Sequence, residues 1–325
     1  MKNNNLLYVY EERIPKILQN LIISEIKKNK FNFKKMTYKA PVKMQKKLFA
    51  WSDAVFFAPG RFISSEVFEE AKKAKIFQLW SSGYDKFNLS AAKKNGIMVC
   101  NNGSQNDISV AEHSVMLMLS LNRKLIHFND ITKKGKWTGN SHGVDLKEMK
   151  NKVLGIIGLG KIGVKVAKIC MGFDMKIIYY DKKKLSKKKE KHLNVKYVSK
   201  KEILKKSDII SLHLHLNEET ENFINQKNIK FLKKNVIIIN VSRAKLIEKK
   251  AIEIGLRKKI IGGVGLDVHY IEPTNKNDKI LKHPNVISTP HTAGSTIDTY
   301  KRVIFKCFEN IKNRLNNNNK VQWKI

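Results

Sequence analysis

Cysteine is scarce in this sequence: three in 325 residues, at Cys100, Cys170 and Cys307. Their odd number and wide spacing exclude a disulfide framework and any metal site built on paired cysteines. No apolar run approaches the ~20 residues of a membrane span. The first run, Leu6-Leu7-Tyr8-Val9-Tyr10, is broken by Glu11-Glu12-Arg13 and is too short for a signal-peptide core. Arginine is scarce too, with seven residues against 57 lysines, and the acidic residues number only 28. Apolar residues are plentiful at 42%, which supports a packed core and excludes wholesale disorder. The length suits roughly two domains. The expectation is a soluble, reduced, cytoplasmic globular protein with no metal.

The formal net charge of +36 invites a nucleic-acid reading. A binding groove needs clustered Arg and interleaved aromatics. Here the lysines are spread along the chain. The densest block, Lys182 to Lys191, holds no aromatic residue and reads as a solvated helix or loop face. No specific nucleic-acid partner and no membrane partner is expected. A positive surface still attracts small anionic substrates.

The first hundred residues alternate strand-like and helix-like segments. Strands are predicted at Leu6–Tyr10, Ala54–Phe57, Ile76–Trp80 and Ile97–Cys100. Helices are predicted at Ile14–Lys28, Ser64–Lys73 and Leu89–Lys94. A longer helix, Ile108–Ile131, is apolar on several faces and is therefore buried, between domains or subunits. A second series begins at Val153, with strands at Val153–Ile157, Lys176–Tyr180, Ile209–His213, Val236–Asn240, Ile261–Leu266 and Val286–Ser288. Thr296–Leu315 reads as one long helix before a polar tail, Asn316–Asn319. Such alternation implies parallel sheets with helices on both faces.

Gly158-Leu159-Gly160-Lys161-Ile162-Gly163 follows a buried strand and precedes a helix. An acid, Asp181, closes the next strand eighteen residues past Gly163. That context turns a weak glycine pattern into a dinucleotide fingerprint. Gly158 makes the tight turn, Gly160 lets the backbone approach a pyrophosphate, and Gly163 lets the helix pack closely. The helix N-terminus, opened by Lys161 and Ile162, offers N–H groups to the phosphates. Asp181 accepts from the ribose hydroxyls and favours NAD. Lys182-Lys183-Lys184 beside it leave NADP open.

Three segments downstream carry candidate chemistry: Asn240-Val241-Ser242-Arg243 after a strand, Gly265-Leu266-Asp267-Val268 followed by Glu272-Pro273, and Pro290-His291-Thr292-Ala293-Gly294. Imidazole titrates near neutral pH and suits a proton transfer at His291. A carboxylate such as Glu272 on the other ring nitrogen would orient it. Arg243 supplies a fixed charge and a planar fork for a carboxylate, which Lys lacks. The remaining histidines, among them His113, His213, His215 and His283, read as structural.

With the glycine motif in front, these segments resemble the D-isomer-specific 2-hydroxyacid dehydrogenases. The resemblance runs from about Asp53 to Gly294 and includes Ser82-Gly83-Tyr84-Asp85, Ser109-Val110-Ala111-Glu112-His113 and His283-Pro284-Asn285-Val286. It implies an α/β fold of two doubly wound parallel-sheet domains. A Rossmann NAD-binding domain, 107–291, is inserted in a flavodoxin-like substrate domain, 1–106 and 292–325, with a cleft that closes on substrate. It implies Arg243, Glu272 and His291 as catalytic residues. Ser82 and Gly83 join Arg243 in binding the substrate. Val241, Asp267 and His215 join the glycine turn and Asp181 at the cofactor, with Asp267 holding the nicotinamide carboxamide. Phe56–Pro59 is the candidate wall for the substrate side chain. The substrate is a small anionic 2-hydroxy or 2-keto acid of the glyoxylate, hydroxypyruvate or 3-phosphoglycerate class. A homodimer is implied, with the helix after Ile108 as candidate contact. Because the chain ends at Ile325, no appended regulatory domain is expected. Departures from the family pattern are Ala244-Lys245, Asp174 in place of glycine, Gly103-Ser104 in place of Pro-Gly, and His215 in place of proline. The alternative is an NAD(H)-sensing, corepressor-like interaction protein on the same fold.

Overall fold

A computed structural model describes residues 4–318 and 320–325. Asn319, the end of the predicted polar tail, lies outside them. The chain divides into two compact units, Met1–Asn106 with Ser295–Ile325, and Asp107–Gly294. The second crossing falls after Gly294 and not after His291. The reason is local: Thr292 and Ala293 give their backbone N–H groups to Asp267 and stay with the inserted unit.

The first unit opens with β1 (Asn5–Tyr10), α1 (Lys16–Lys28), β2 (Asn32–Thr37), α2 (Val42–Trp51) and β3 (Ala54–Ala58). It continues through α3 (Ser65–Phe68), β4 (Ile76–Leu79), α4 (Leu89–Lys94) and β5 (Met98–Cys100). The five strands are all parallel, in the order β2-β1-β3-β4-β5. This is the flavodoxin-like order. The central strand β3, Ala-Val-Phe-Phe-Ala, is buried at every position because helices cover both faces of the sheet. Phe56 and Phe57 therefore lie in the core, with no exposed surface, and do not form a substrate wall.

β2 and α2 were not predicted. β2 is an edge strand with Lys34 and Lys35 exposed in its middle. Lysine at an edge discourages pairing with another chain and erases the apolar signature of a strand. The third helix is shorter than Ser64–Lys73, spanning only Ser65–Phe68.

The second unit begins with α5 (Asp107–Asn122) and α6 (Leu125–Lys133). The single long helix predicted here is broken at Lys124, which takes a left-handed φ of +48°. The pieces have opposite fates. Leu117 and Met118 of α5 are fully buried in the unit's own core, whereas α6 buries no residue. α5 is thus largely internal packing, and α6 lies at the surface.

The Rossmann-type sheet follows: β6 (Val153–Ile157), α7 (Lys161–Met171), β7 (Lys176–Tyr180), α8 (Lys187–Leu193), β8 (Lys196–Tyr197), α9 (Lys200–Lys206), β9 (Ile209–Leu212), β10 (Val236–Asn240), α10 (Lys249–Arg257), β11 (Ile261–Leu266) and β12 (Val286–Ser288). Its order is β12-β11-β10-β9-β6-β7-β8, all parallel. The chain moves from β6 outward to β8, then returns to β9 on the other side of β6. That reversal makes the carboxyl ends of β6 and β9 a topological switch point, where open α/β sheets bind ligands. The lysine block falls on α8 and the loop before it, with its lysines exposed; Glu190 is turned inward to the hydroxyl of Tyr179. Asp174, in the family's glycine position, holds φ +54°. α11 (Ile297–Leu315) then returns to the first unit and buries Val303, Cys307, Phe308 and Ile311 there.

Gly155, in the middle of β6, has no room for a side chain. A Cβ there would lie 2.1 Å from Oγ of Ser207 and 2.8 Å from Ile203. Gly155→Ala should therefore destabilise this unit by about 1–3 kcal/mol. Urea denaturation will show the loss, and Ser207→Ala in the same chain should return part of it.

Candidate active site

The glycine turn leaves β6 at the switch point. Gly158 takes φ +95°, a conformation that side chains disfavour. Its missing Cβ would lie 2.9 Å from the backbone of His213 at the end of β9. Gly163 sits so close to the turn that a Cβ would be 2.4 Å from the Gly158 carbonyl oxygen. Gly160 differs: a Cβ there would meet nothing within 4 Å. No side chain caps the N-terminus of α7. Open space above a glycine at an uncapped helix N-terminus fits a pyrophosphate. Asp181 closes β7, and its Oδ2 accepts the Leu159 N–H at 2.8 Å. The predicted acid and the predicted turn are therefore in contact, and these residues fit a dinucleotide.

The neighbouring lysines are partly engaged elsewhere. Lys182 pairs with Glu219 at 2.8 Å, and the ammonium of Lys184 lies 5.1 Å over the Tyr197 ring. His215 is exposed, and its carbonyl accepts the Thr220 hydroxyl. Val241 is buried in the core. His213 cannot carry protons near neutral pH, since burial holds its imidazole down to about 3.

The other candidates leave the carboxyl ends of three adjacent strands. Arg243 is three residues past β10, Asp267 one past β11 and His291 three past β12. Parallel strands about 4.8 Å apart bring such ends together. Arg243 is partly buried, and its loop is fixed from below. Asn240, fully buried, donates to the Arg243 carbonyl at 2.9 Å and accepts from the Ser242 N–H at 3.2 Å. The guanidinium donates to the Ser242 carbonyl at 2.8 Å.

His291 and Glu272, nineteen residues apart, meet directly: Nδ1 lies 3.0 Å from Oε1. The carboxylate therefore fixes the Nδ1–H tautomer and leaves Nε2 for a substrate oxygen. The histidine is half-exposed, as a proton carrier must be. It takes φ +59°, which is uncommon for a residue with a Cβ.

Asp267 is fully buried. Its Oδ1 accepts the Thr289 hydroxyl at 2.6 Å and the Thr292 N–H at 2.8 Å, and its Oδ2 accepts the Ala293 N–H at 2.8 Å. The carboxylate thus anchors both sides of the His291 turn. Sequence reading missed this task, and it missed His113 and His269, whose rings reach Thr289 at 2.9 Å. Nothing in their spacing marks them; only the strand order does.

Ser82 and Gly83 belong to the other unit and are described by themselves. The Ser82 hydroxyl lies 2.6 Å from Asn102 and 2.8 Å from Asn106, and Ser81 donates to the Gly83 carbonyl at 2.8 Å. A hollow of about 840 Å³ in that unit is lined by Arg61, Phe62 and residues 85–90. It contains none of the candidate catalytic groups. Among the described residues no cluster of His, Cys, Asp or Glu could hold a metal ion, and no helix is long and apolar enough to cross a membrane.

Comparison with known proteins agrees with this geometry. Residues 115–293 match the family described as D-isomer specific 2-hydroxyacid dehydrogenase, NAD binding domain. The chain is 34% identical to a glyoxylate reductase of Korarchaeum cryptofilum, over 77% of this chain and 75% of that protein. It is 36% identical to a hydroxypyruvate reductase of Thermotoga maritima, over 77% and 80%. Among solved structures, an acyclic imino acid reductase in complex with NADPH and D-Arg superposes with a TM-score of 0.85 at 27% identity, covering 99% of both chains. The NAD-complexed D-isomer specific 2-hydroxyacid dehydrogenase of Lactobacillus delbrueckii ssp. bulgaricus superposes at 0.81 and 26%, covering 98% of this chain and 99% of that one. The chain therefore belongs to the D-isomer-specific 2-hydroxyacid dehydrogenases and is an NAD(P)-dependent oxidoreductase of 2-hydroxy acids.

Proposed function

We propose that the chain reduces a small 2-keto acid of the glyoxylate or hydroxypyruvate type to the D-2-hydroxy acid, with NADH preferred. The observation that carries this reading is the 3.0 Å pair of His291 and Glu272 at the carboxyl edge of a dinucleotide-binding sheet. The nicotinamide, when bound, supplies or accepts the hydride. Every other task falls to side chains of this protein. Nε2 of His291, protonated, gives its proton to the carbonyl oxygen of the keto acid as that carbon becomes tetrahedral; in the reverse direction it takes the hydroxyl proton. Glu272 supports the imidazolium while it carries that proton. The Arg243 guanidinium binds the substrate carboxylate and polarises the carbonyl. Ser82 and Gly83 contribute the second hold on the carboxylate, Gly83 through its N–H. Gly158, Gly160, Lys161, Ile162 and Gly163 receive the pyrophosphate, Asp181 the ribose, and Val241, His215 and Asp267 complete the cofactor's surroundings.

The reading extends to a homodimer in the cytoplasm with no specific nucleic-acid partner. The exposed apolar residues Leu125, Ile126, Trp137 and Val144 support the dimer, with Trp137 87% and Val144 94% exposed. Exposed apolar surface of this kind asks for a cover, and a second copy of the chain is the proposed one. The three buried, free cysteines suit a reducing compartment. Neither the site nor these relatives favours the interaction-protein alternative.

Purified protein should oxidise NADH with glyoxylate or hydroxypyruvate, and 3-phosphoglycerate with NAD tests the phosphorylated class. His291→Ala should lower kcat by about 10²–10⁴-fold while NADH binding, read by fluorescence, persists. Arg243→Gln should lower kcat/KM by about 10²–10³-fold. A panel without turnover, with NADH shown bound, would refute the enzyme reading.

Asp181 beside the glycine turn predicts a higher kcat/KM with NADH than with NADPH. Asp181→Ser should reverse or level the ratio, and steady-state kinetics with both cofactors decides it. For the dimer, sedimentation should give twice the 37.5 kDa chain mass. Trp137→Asp together with Val144→Asp should shift it to the monomer; a wild-type monomer would refute that part.

A further inference from the structure

His113 and His269 lie outside the roles given above, and both rings meet Thr289. The hydrogen bonds place a proton on one ring nitrogen of each. Thr289 has one hydroxyl proton, and its 2.6 Å contact with Oδ1 of Asp267 uses it, because an ionised carboxylate only accepts. Nε2 of His113, 2.9 Å from the same hydroxyl oxygen, must then be the donor. Nε2 of His269 lies 2.9 Å from the Thr289 carbonyl oxygen, which also only accepts. His269 is therefore an Nε2–H imidazole too. The catalytic His291 is the opposite tautomer, since its Nδ1 faces Glu272.

The two rings hold Thr289 from two sides, and Thr289 is where the His291 turn starts. Its carbonyl also accepts the His291 backbone N–H at 3.0 Å, and its own N–H donates to Leu266 at 2.9 Å. His269 has a second attachment. Its backbone N–H donates to Oε1 of Glu272 at 3.2 Å, the same oxygen that faces His291. One residue thus grips both partners of the catalytic pair, the carboxylate through its main chain and the turn through its ring. His113 braces the hydroxyl side from α5, with its Nε2 3.7 Å from Asp267.

We propose that His269 and His113 are positioning residues that clamp Thr289 and so hold His291 in register with Glu272. The clamp touches neither substrate nor hydride and acts only through the placement of His291, so it rests on the role proposed for that residue. A misplacement of about 1 Å at a reacting group costs about 10²-fold in rate, which sets the scale expected.

The first test needs no variant activity. In ¹⁵N-histidine-labelled wild-type protein above the imidazole titration range, long-range ¹H–¹⁵N spectra should show Nε2–H for His113 and His269 and Nδ1–H for His291. Assignment is by His113→Asn, His269→Gln and His291→Asn. An Nδ1–H tautomer at His113 or His269 overturns the clamp. The second test is kinetic. His269→Phe keeps the ring volume without the donor and should lower kcat about ten- to a hundredfold, with the NADH dissociation constant changed less than about twofold. His269→Gln can still donate to Thr289 and should recover most of the loss. An unchanged kcat in His269→Phe, or a glutamine variant as impaired as the phenylalanine one, also overturns it. If His269→Phe does not fold, the wild-type tautomers decide alone. Should the wild type turn over no keto acid, the proposed reaction fails and the tautomer result still judges the clamp. Should it turn over normally with His269→Phe unaffected, the clamp fails and the reaction stands.

Discussion

The carboxylate of Asp267 is the constraint on which the active site depends. A fully buried charge is tolerated only when its oxygens are hydrogen-bonded. Here the partners are the Thr289 hydroxyl and the N–H groups of Thr292 and Ala293. All three flank His291, so satisfying the buried charge and shaping the turn are one event. Magnitudes decide the outcome. The left-handed backbone of His291 costs about 1–2 kcal/mol. Each hydrogen bond to a charged acceptor contributes about 1.5–3 kcal/mol. The strain is comparable to one such bond, which leaves the other two to set against the cost of burying the carboxylate.

The glycine turn obeys a similar logic with the sign of the requirement reversed. There, side chains are absent where backbone must approach backbone, at Gly158 and Gly163, and absent at Gly160 where nothing in the protein fills the space. The first two glycines bring β6, β9 and α7 together; the third leaves an opening. Asp181 then ties the turn to β7 through the Leu159 N–H while keeping acceptor capacity on its other oxygen. A carboxylate has about four lone-pair sites, so this bond and a long one from the Lys183 N–H to Oδ1 at 3.5 Å do not disqualify it as a ribose acceptor. The Asp267 carboxylate, enclosed and holding three donors, is less free to serve a ligand with its oxygens.

Most of this was legible in the sequence because parallel strands buried on both faces read as apolar runs. β3, β6, β7, β9 and β10 were visible for that reason. β2 was not, because Lys34 and Lys35 break its pattern at a solvent edge. The continuous apolar spacing from Ile108 to Ile131 hid a change of environment: α5 is core and α6 is surface, and the break at Lys124 carries no glycine or proline. Phe56 and Phe57 looked like candidates for a wall, but they sit within β3, in the core. The catalytic candidates were legible as spaced motifs in a fixed order. Their partners were not. His113 and Thr289 are 176 positions apart, and no local pattern predicts such a contact.

The scarcity of arginine sharpens the meaning of Arg243. In a chain with 57 lysines, a positive charge is available almost everywhere, and attracting an anion to the surface needs nothing special. Lysine serves that purpose with a flexible, strongly hydrated ammonium. A carboxylate beside a reacting carbonyl needs a planar fork whose position does not fluctuate. Arg243 has both properties here. Asn240 holds its main chain through the Arg243 carbonyl, and the Ser242 carbonyl holds its guanidinium. Asn240 itself is at the end of β10, between β9 and β11 in the sheet. The sheet therefore fixes the cation through Asn240 and the imidazole through Asp267, each a buried polar side chain at a strand end: Asn240 bonds the backbone of the loop that follows its own strand, and Asp267 bonds the turn that follows the neighbouring strand β12.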